Sequence, residues 1–217
     1  MTRLFPASRA VPALLFFLTA VPIIAALVRM VQIPTGTLPD IAQHLTTTPV
    51  SHYLHAAAGA TFGIIGPLQF GAVISGRYGR RHRVMGRIFV LAGAVLSLSA
   101  FRLLWSYPET ATPLLDGARL LAAVVVLAAL WIAVRAIRGR DRDRHMVWMI
   151  RAYAVGMGSS TVVFFFIPLM ILGIEEPAPL VSDAIFILAW GINIGIAELL
   201  IARFRRRRAQ AARPALA

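Results

Sequence analysis

The chain has 217 residues, of which 59% are hydrophobic and only 14% charged, and its mean hydropathy is +0.75. These values remove it from the ordinary soluble class and predict one polytopic membrane domain. Its net charge of +13 comes from 22 basic residues, every one an arginine. In a soluble chain that excess would point to nucleic acid. Here the arginines stand between and after apolar runs, so nucleic acid is not the expected partner, and they read as topology signals facing anionic lipid headgroups. With no cysteine, thiolate ligands, iron-sulfur clusters, disulfides and covalent haem attachment are excluded. With no lysine, so are Schiff-base chemistry and the phosphate-binding lysine of a Walker loop.

Along the chain, Arg3 and Arg9 precede a first apolar span, about 11–31, which contains Pro22 and ends near Arg29. The shape resembles a secretory signal. The apolar part is too long for one and no small-residue cleavage site follows at a convincing distance, so an uncleaved span is expected. Residues 32–51 hold Pro, Gly, Thr and the acid Asp40, and are expected as a non-cytoplasmic loop. Spans two (about 52–74) and three (about 87–105) flank a turn with Arg77, Arg80, Arg81 and Arg83, which the positive-inside rule makes cytoplasmic. The next connection carries Glu109 and Asp116 and belongs outside.

Span four, about 119–136, runs into the mixed-charge segment RAIRGRDRDRH; span five, about 149–172, is followed by Glu175, Glu176 and Asp183. Span six, about 183–201, ends in a basic tail at 202–217. The expectation is an all-α transmembrane bundle of about six spans with both termini cytoplasmic. The turns RRHRVMGRIF and DRHMVWMIRAY also resemble each other, as a parallel repeat about the membrane normal would require.

Candidate chemistry rests on histidines and on polar groups at membrane depth. His82 and His145 start successive returns from the cytoplasmic side. Level imidazoles on different helices can ligate a haem iron from opposite faces or share a metal ion, with Arg83 or Arg87 available for propionates. Interfacial histidines of this kind also serve as headgroup contacts or helix caps. Gln69, Arg83, Arg87, Arg151 and Glu198 are expected at comparable depth as a supporting polar cluster, whose alternative role is an ion-pair network fixing helix register. His52 and His55, at i and i+3, form a candidate outer metal pair, or simply a polar helix entry. Gly59 with Gly63, and Gly191 with Gly195, are expected to allow close helix packing, and Trp105, Trp131 and Trp148 to anchor interfaces. No nucleotide loop, HExxH site or nucleophile elbow marks an enzyme.

At several of these positions the chain resembles a known family. His55 with Gly59, Gly66-Pro67, Gln69-Phe70, His82-Arg83, Gly86-Arg87, and His145 with Trp148-Met149 and Arg151 are similar to the signature of the bacterial integral-membrane family catalogued as domain of unknown function twenty-three-oh-six. The resemblance covers roughly residues 50–155 and implies a polytopic protein of the bacterial inner membrane, with no established activity. Three functions follow as expectations. The first is an assembly, lipid-contacting or structural membrane component whose arginines meet anionic headgroups. The alternatives are a redox protein holding haem b or a metal ion at His82 and His145, and a small-solute transporter.

Overall fold

The structure, a computed structural model, describes residues 10–74, 79–106, 112–174 and 177–211. Arg3, Arg9, Arg77, Glu109, Glu175 and Glu176 lie outside the described residues. Five helices carry most of the chain: α1 (Ala10–Thr35), α2 (Pro49–Ile74), α3 (Arg80–Ser106), α4 (Pro113–Arg138) and α5 (Arg142–Gly156). The short α6 (Gly158–Thr161), α7 (Val163–Ile171) and the long α8 (Pro179–Ala211) complete it. A 3-10 helix, Asp40–Thr47, occupies the segment expected as a loop between α1 and α2. Among the described residues there is no strand.

α1, α3, α4 and α8 are each long and apolar enough to cross a membrane. α5 with the α6–α7 piece makes a fifth crossing if that bent pair is one span. By length and composition, four or five of the expected six spans are met among the described residues; the described part of α2, which carries His52, His55, Gln69, four glycines and Pro67, falls short of that measure. The expected limits were also too short, since helices run on through charged ends that a hydropathy reading discards. α8 has 33 residues, about 50 Å at 1.5 Å per residue, against a hydrocarbon core of about 30 Å. Its last turns, with Arg203, Arg205, Arg206 and Arg208, therefore extend beyond the apolar zone as helix, where a tail was expected from residue 202.

Side-chain pairing fixes the direction of each helix. His55 faces Ser99, the Gly59 backbone faces Leu96, and Gly86 faces Gln69, so α2 and α3 are antiparallel. Gly63 against Ile23 and Gly71 against Pro12 give the same relation for α1 and α2. Arg151 with Glu198, and Arg208 with Asp143, set α5 antiparallel to α8. Thr112 with Asp183 and Arg119 over Phe186 set α4 parallel to α8. One end of the bundle accordingly collects the exposed Arg80, Arg81, Arg83, Arg138, Arg140, Arg142 and Arg144, and this is the basic end.

The interior is aromatic. Phe62, fully buried, stacks on Phe89 with ring centroids 4.1 Å apart, and Tyr153 lies 5.7 Å from Phe62 and 5.4 Å from Phe70. Gly66 on α2 makes room for Tyr153: a Cβ there would fall within the phenol ring. Leu130, Val126 and Ala129 of α4 close the same core. A second cluster of Val147, Ile150, Ala197, Ile201 and Phe204 joins α5 to α8 toward the basic end. Helix starts are locally encoded: Thr112 caps α4, accepting from Leu115 N at 3.1 Å with Pro113 next, and Asp141 caps α5, accepting from Arg144 N at 2.9 Å.

Candidate functional site

At the basic end the structure assembles part of the expected cluster. Arg151 Nε and Nη2 donate to the two carboxylate oxygens of Glu198 at 2.6 and 3.0 Å, a bidentate pair, and the guanidinium lies 4.7 Å over the Trp148 ring. Gln69 sits against Gly86. His145 Nδ1 donates to the Ala133 carbonyl at 2.9 Å, and the ring is near enough to His82 for the two to interact electrostatically. Arg83 and Arg87 are exposed and turn away from the interior. Two turns further along the helices that carry the two histidines, Phe89 and Tyr153 pack with Phe62 and Phe70, and the haem reading gains no support from these contacts.

His52 and His55 part company at the other end. His52 Nδ1 contacts Thr48 of its own helix entry, at 3.2 Å from the carbonyl and 3.3 Å from the hydroxyl. His55 turns inward, its Nδ1 3.0 Å from Ser99 Oγ on α3. Ser99 has one proton and donates it to the Leu96 carbonyl at 3.0 Å. The Ser99 hydroxyl thus sits between the Leu96 carbonyl and the His55 ring, and that carbonyl is within hydrogen-bonding reach of the imidazole as well. Among the described residues no group of three or more His, Asp or Glu is placed to hold a metal ion.

His55 lines a cavity of about 340 Å³ in the half of the bundle away from the basic end. Leu96, Leu103, Leu104 and Val126 supply apolar wall, and Phe186 and Trp190 of α8 supply aromatic wall. The polar groups are His55, Ser97, Asp116, Arg119 and Ser159, contributed by α2, α3, α4 and α6. Arg119 is 3.5 Å from Asp116, lies 5.1 Å over Phe186, and feels Asp183 as well. Asp183, only 3% exposed, accepts from the Thr112 hydroxyl at 2.5 Å. A cavity of this size, mostly apolar with a few convergent polar groups, is the form that small-molecule sites take.

The cavity abuts the break between α5 and the α6–α7 piece. The axis bends by 46° between α5 and the α6–α7 piece, and Val155, Gly156 and Ser159 at the bend line the cavity. The sequence VGMGSST explains the bend, since glycine and hydroxyl residues hold a helix weakly. α8 supplies polar partners there. Trp190 Nε1 donates to the Val155 carbonyl at 3.0 Å and Asn193 Nδ2 to the Met157 carbonyl at 3.2 Å, while Thr161 donates to Asn193 Oδ1 at 3.0 Å. Backbone groups at a break inside a membrane require such partners. Asn193 is thus occupied in holding the bend.

Residues 52–201 match a family model described as predicted membrane protein (DUF2306). The chain belongs to this family. The matched region is wider than the motifs between His55 and Arg151 suggest: it takes in the cavity, the bend, Glu198 and the apolar length of α8, and it leaves out α1. No curated protein and no solved structure matches the chain.

Sequence reasoning missed Asp116, Arg119, Ser97, Ser159 and Trp190 as one site. Asp116 and Arg119 had been divided between a loop and the start of a span. The signal available was a pair of opposite charges at i and i+3 within what is the first two turns of a crossing helix, together with Gly-x-Gly followed by hydroxyl residues in the middle of another. The packing expected of Gly59 and Gly63 is present, against Leu96 and Ile23. Gly191 and Gly195 meet nothing within 4 Å. Trp105 and Trp131 are 86% and 60% exposed, as interface anchors would be.

Proposed function

We propose that the chain is a six-crossing protein of a bacterial cytoplasmic membrane, basic end toward the cytoplasm, that binds a small amphipathic solute in the outer half of its bundle and carries it. The observation that supports solute binding most is the cavity with His55, Asp116 and Arg119 set beside a bent crossing. Discontinuous helices at mid-membrane line the binding sites of many carriers, because they bring polar backbone and small side chains to a depth where both are otherwise costly. α2 counts as a sixth crossing because it runs antiparallel between α1 and α3, and both of these are long and apolar enough to cross. Two ion pairs, Arg151–Glu198 and Arg208–Asp143, tie α5 to α8 at the basic end, whereas the cavity lies at the opposite end of the same helices. That asymmetry suits a carrier open toward the outside.

Contact with anionic lipid is a second reading, compatible with the first. It is favoured by the exposed Arg80, Arg81, Arg83, Arg140, Arg142 and Arg144 at one level of the bundle.

Trp190 is a cavity-wall fluorophore, so replacing Trp105, Trp131 and Trp148 by Phe leaves a single reporter. A panel of small amines, alcohols and carboxylates should include at least one that quenches it saturably and raises the unfolding temperature. Ala100 also lines the cavity, so Ala100→Phe should fill it and abolish both effects. If no compound gives a saturable change that depends on residue 100, the solute reading is wrong.

A further inference from the structure

We propose that the occupant of this cavity is a small organic cation, a protonated amine on an apolar body; this rests on the solute-binding reading and adds a charge class to it. Asp116 and Arg119 line the cavity, and Asp183, buried beside it without lining it, acts on the same guanidinium, so among the described residues two carboxylates face one guanidinium there. The guanidinium is committed: it lies against Asp116, stacks over Phe186 and feels Asp183. Arg102, the other cation at this end of α3, is exposed and hydrogen-bonded to Ser106. An anion entering the cavity would meet one guanidinium that two carboxylates already attract.

The hydrogen-bonding groups agree with the charge. Asp116 meets Arg119 through one oxygen at 3.5 Å, which leaves its other oxygen as an acceptor. The Ser97 and Ser159 hydroxyls can accept as well. An ammonium group has three donors and no acceptor, the complement of this set. The apolar body of the ligand has Leu103, Leu104 and Val126 to lie on, and the Trp190 face is available to the cation.

Three probes of nearly one shape separate the possibilities: 2-phenylethylamine, protonated at neutral pH, 2-phenylethanol and phenylacetate. Each is titrated into the full-length protein carrying Trp190 alone, in mild detergent, and the signal of the Ala100→Phe variant is subtracted to remove micelle partitioning. The amine should bind at least tenfold more tightly than the alcohol, and phenylacetate should show no saturable binding. Asp116→Asn should reduce the amine's advantage over the alcohol to less than threefold while leaving alcohol binding in place, and Asp116→Glu should keep the advantage. A preference for phenylacetate, an alcohol that binds as well as the amine, or an advantage that survives Asp116→Asn overturns the cation assignment and leaves the cavity reading intact. Absence of residue-100-dependent binding by all three removes both.

Discussion

Replacing Gly158 by alanine tests whether the bend in the fifth crossing is held by α8. A Cβ at Gly158 would lie inside contact distance of Cδ1 and Nε1 of Trp190. The indole cannot swing aside freely, because Nε1 donates to the Val155 carbonyl at 3.0 Å. Overpacking a well-filled interior costs about 1 to 3 kcal/mol, and losing the indole hydrogen bond adds about 1 kcal/mol. Gly158→Ala should therefore destabilise by roughly 2 to 4 kcal/mol. Trp190→Phe alone gives up the hydrogen bond and some volume, about 1 to 2 kcal/mol. In that background the smaller, unanchored ring can yield, so Gly158→Ala should cost about 1 kcal/mol, a coupling of at least about 1 kcal/mol. Pulse proteolysis across an SDS titration in mixed micelles gives all four free energies. If Gly158→Ala costs the same in both backgrounds to within about 0.5 kcal/mol, the bend is not held by the indole and the account of it fails.

Three further outcomes are expected. Thr112→Val removes both the cap of α4 and the donor to the buried Asp183, and should cost about 2 to 4 kcal/mol by the same titration, whereas Thr112→Ser should be within about 1 kcal/mol of the wild type; equal loss in both variants would mean the hydroxyl is not what matters. A double-mutant cycle on Arg151→Gln and Glu198→Gln should give a coupling of no more than about 1 kcal/mol that shrinks in high salt, because the two side chains are 28% and 45% exposed. A larger, salt-independent coupling would place that pair in a drier setting than its exposure indicates. Finally, the chain has no native cysteine, so Thr46→Cys and Arg142→Cys can be labelled one at a time in the otherwise unaltered protein. A membrane-impermeant maleimide should reach Thr46→Cys in intact cells and Arg142→Cys only in inverted vesicles; the reverse pattern defeats the assigned orientation.

The helical fold and membrane character were legible from composition and from the spacing of apolar runs, since both follow from bulk burial and do not depend on which side chains meet. Helix limits were less legible. Arg80 to Arg83 and Arg203 to Arg208 are helical, although they are poor lipid-facing residues, because arginine is a good helix former and a helix that has emerged from the apolar zone has no reason to stop. The break at Gly156–Gly158 was hidden by the strongly apolar residues around it, which read as one continuous span.

The site divided along the same line. Arg151 and Glu198 could be matched by depth alone, because two charges level with each other on neighbouring crossings have few other partners, and they do pair. His52 and His55 could not be treated this way. Their i, i+3 spacing suggests a shared face, but two residues on one helix face still choose different partners when the next helix offers a hydroxyl to only one of them. Ser99 makes that choice for His55, and no spacing within α2 contains the information. The cavity is a still stronger case: His55, Asp116, Ser159 and Trp190 are spread over 136 positions of chain and come together only because α4 and α8 run parallel with the bent crossing packed against α8. A residue pair that links those two helices directly, Thr112 with Asp183, therefore governs the shape of the cavity although neither member lines it. Loss of that link should loosen the cavity end of α4 and α8, and with it binding of the proposed solute, before it disturbs the aromatic core around Phe62, whose rings come from α2, α3 and α5.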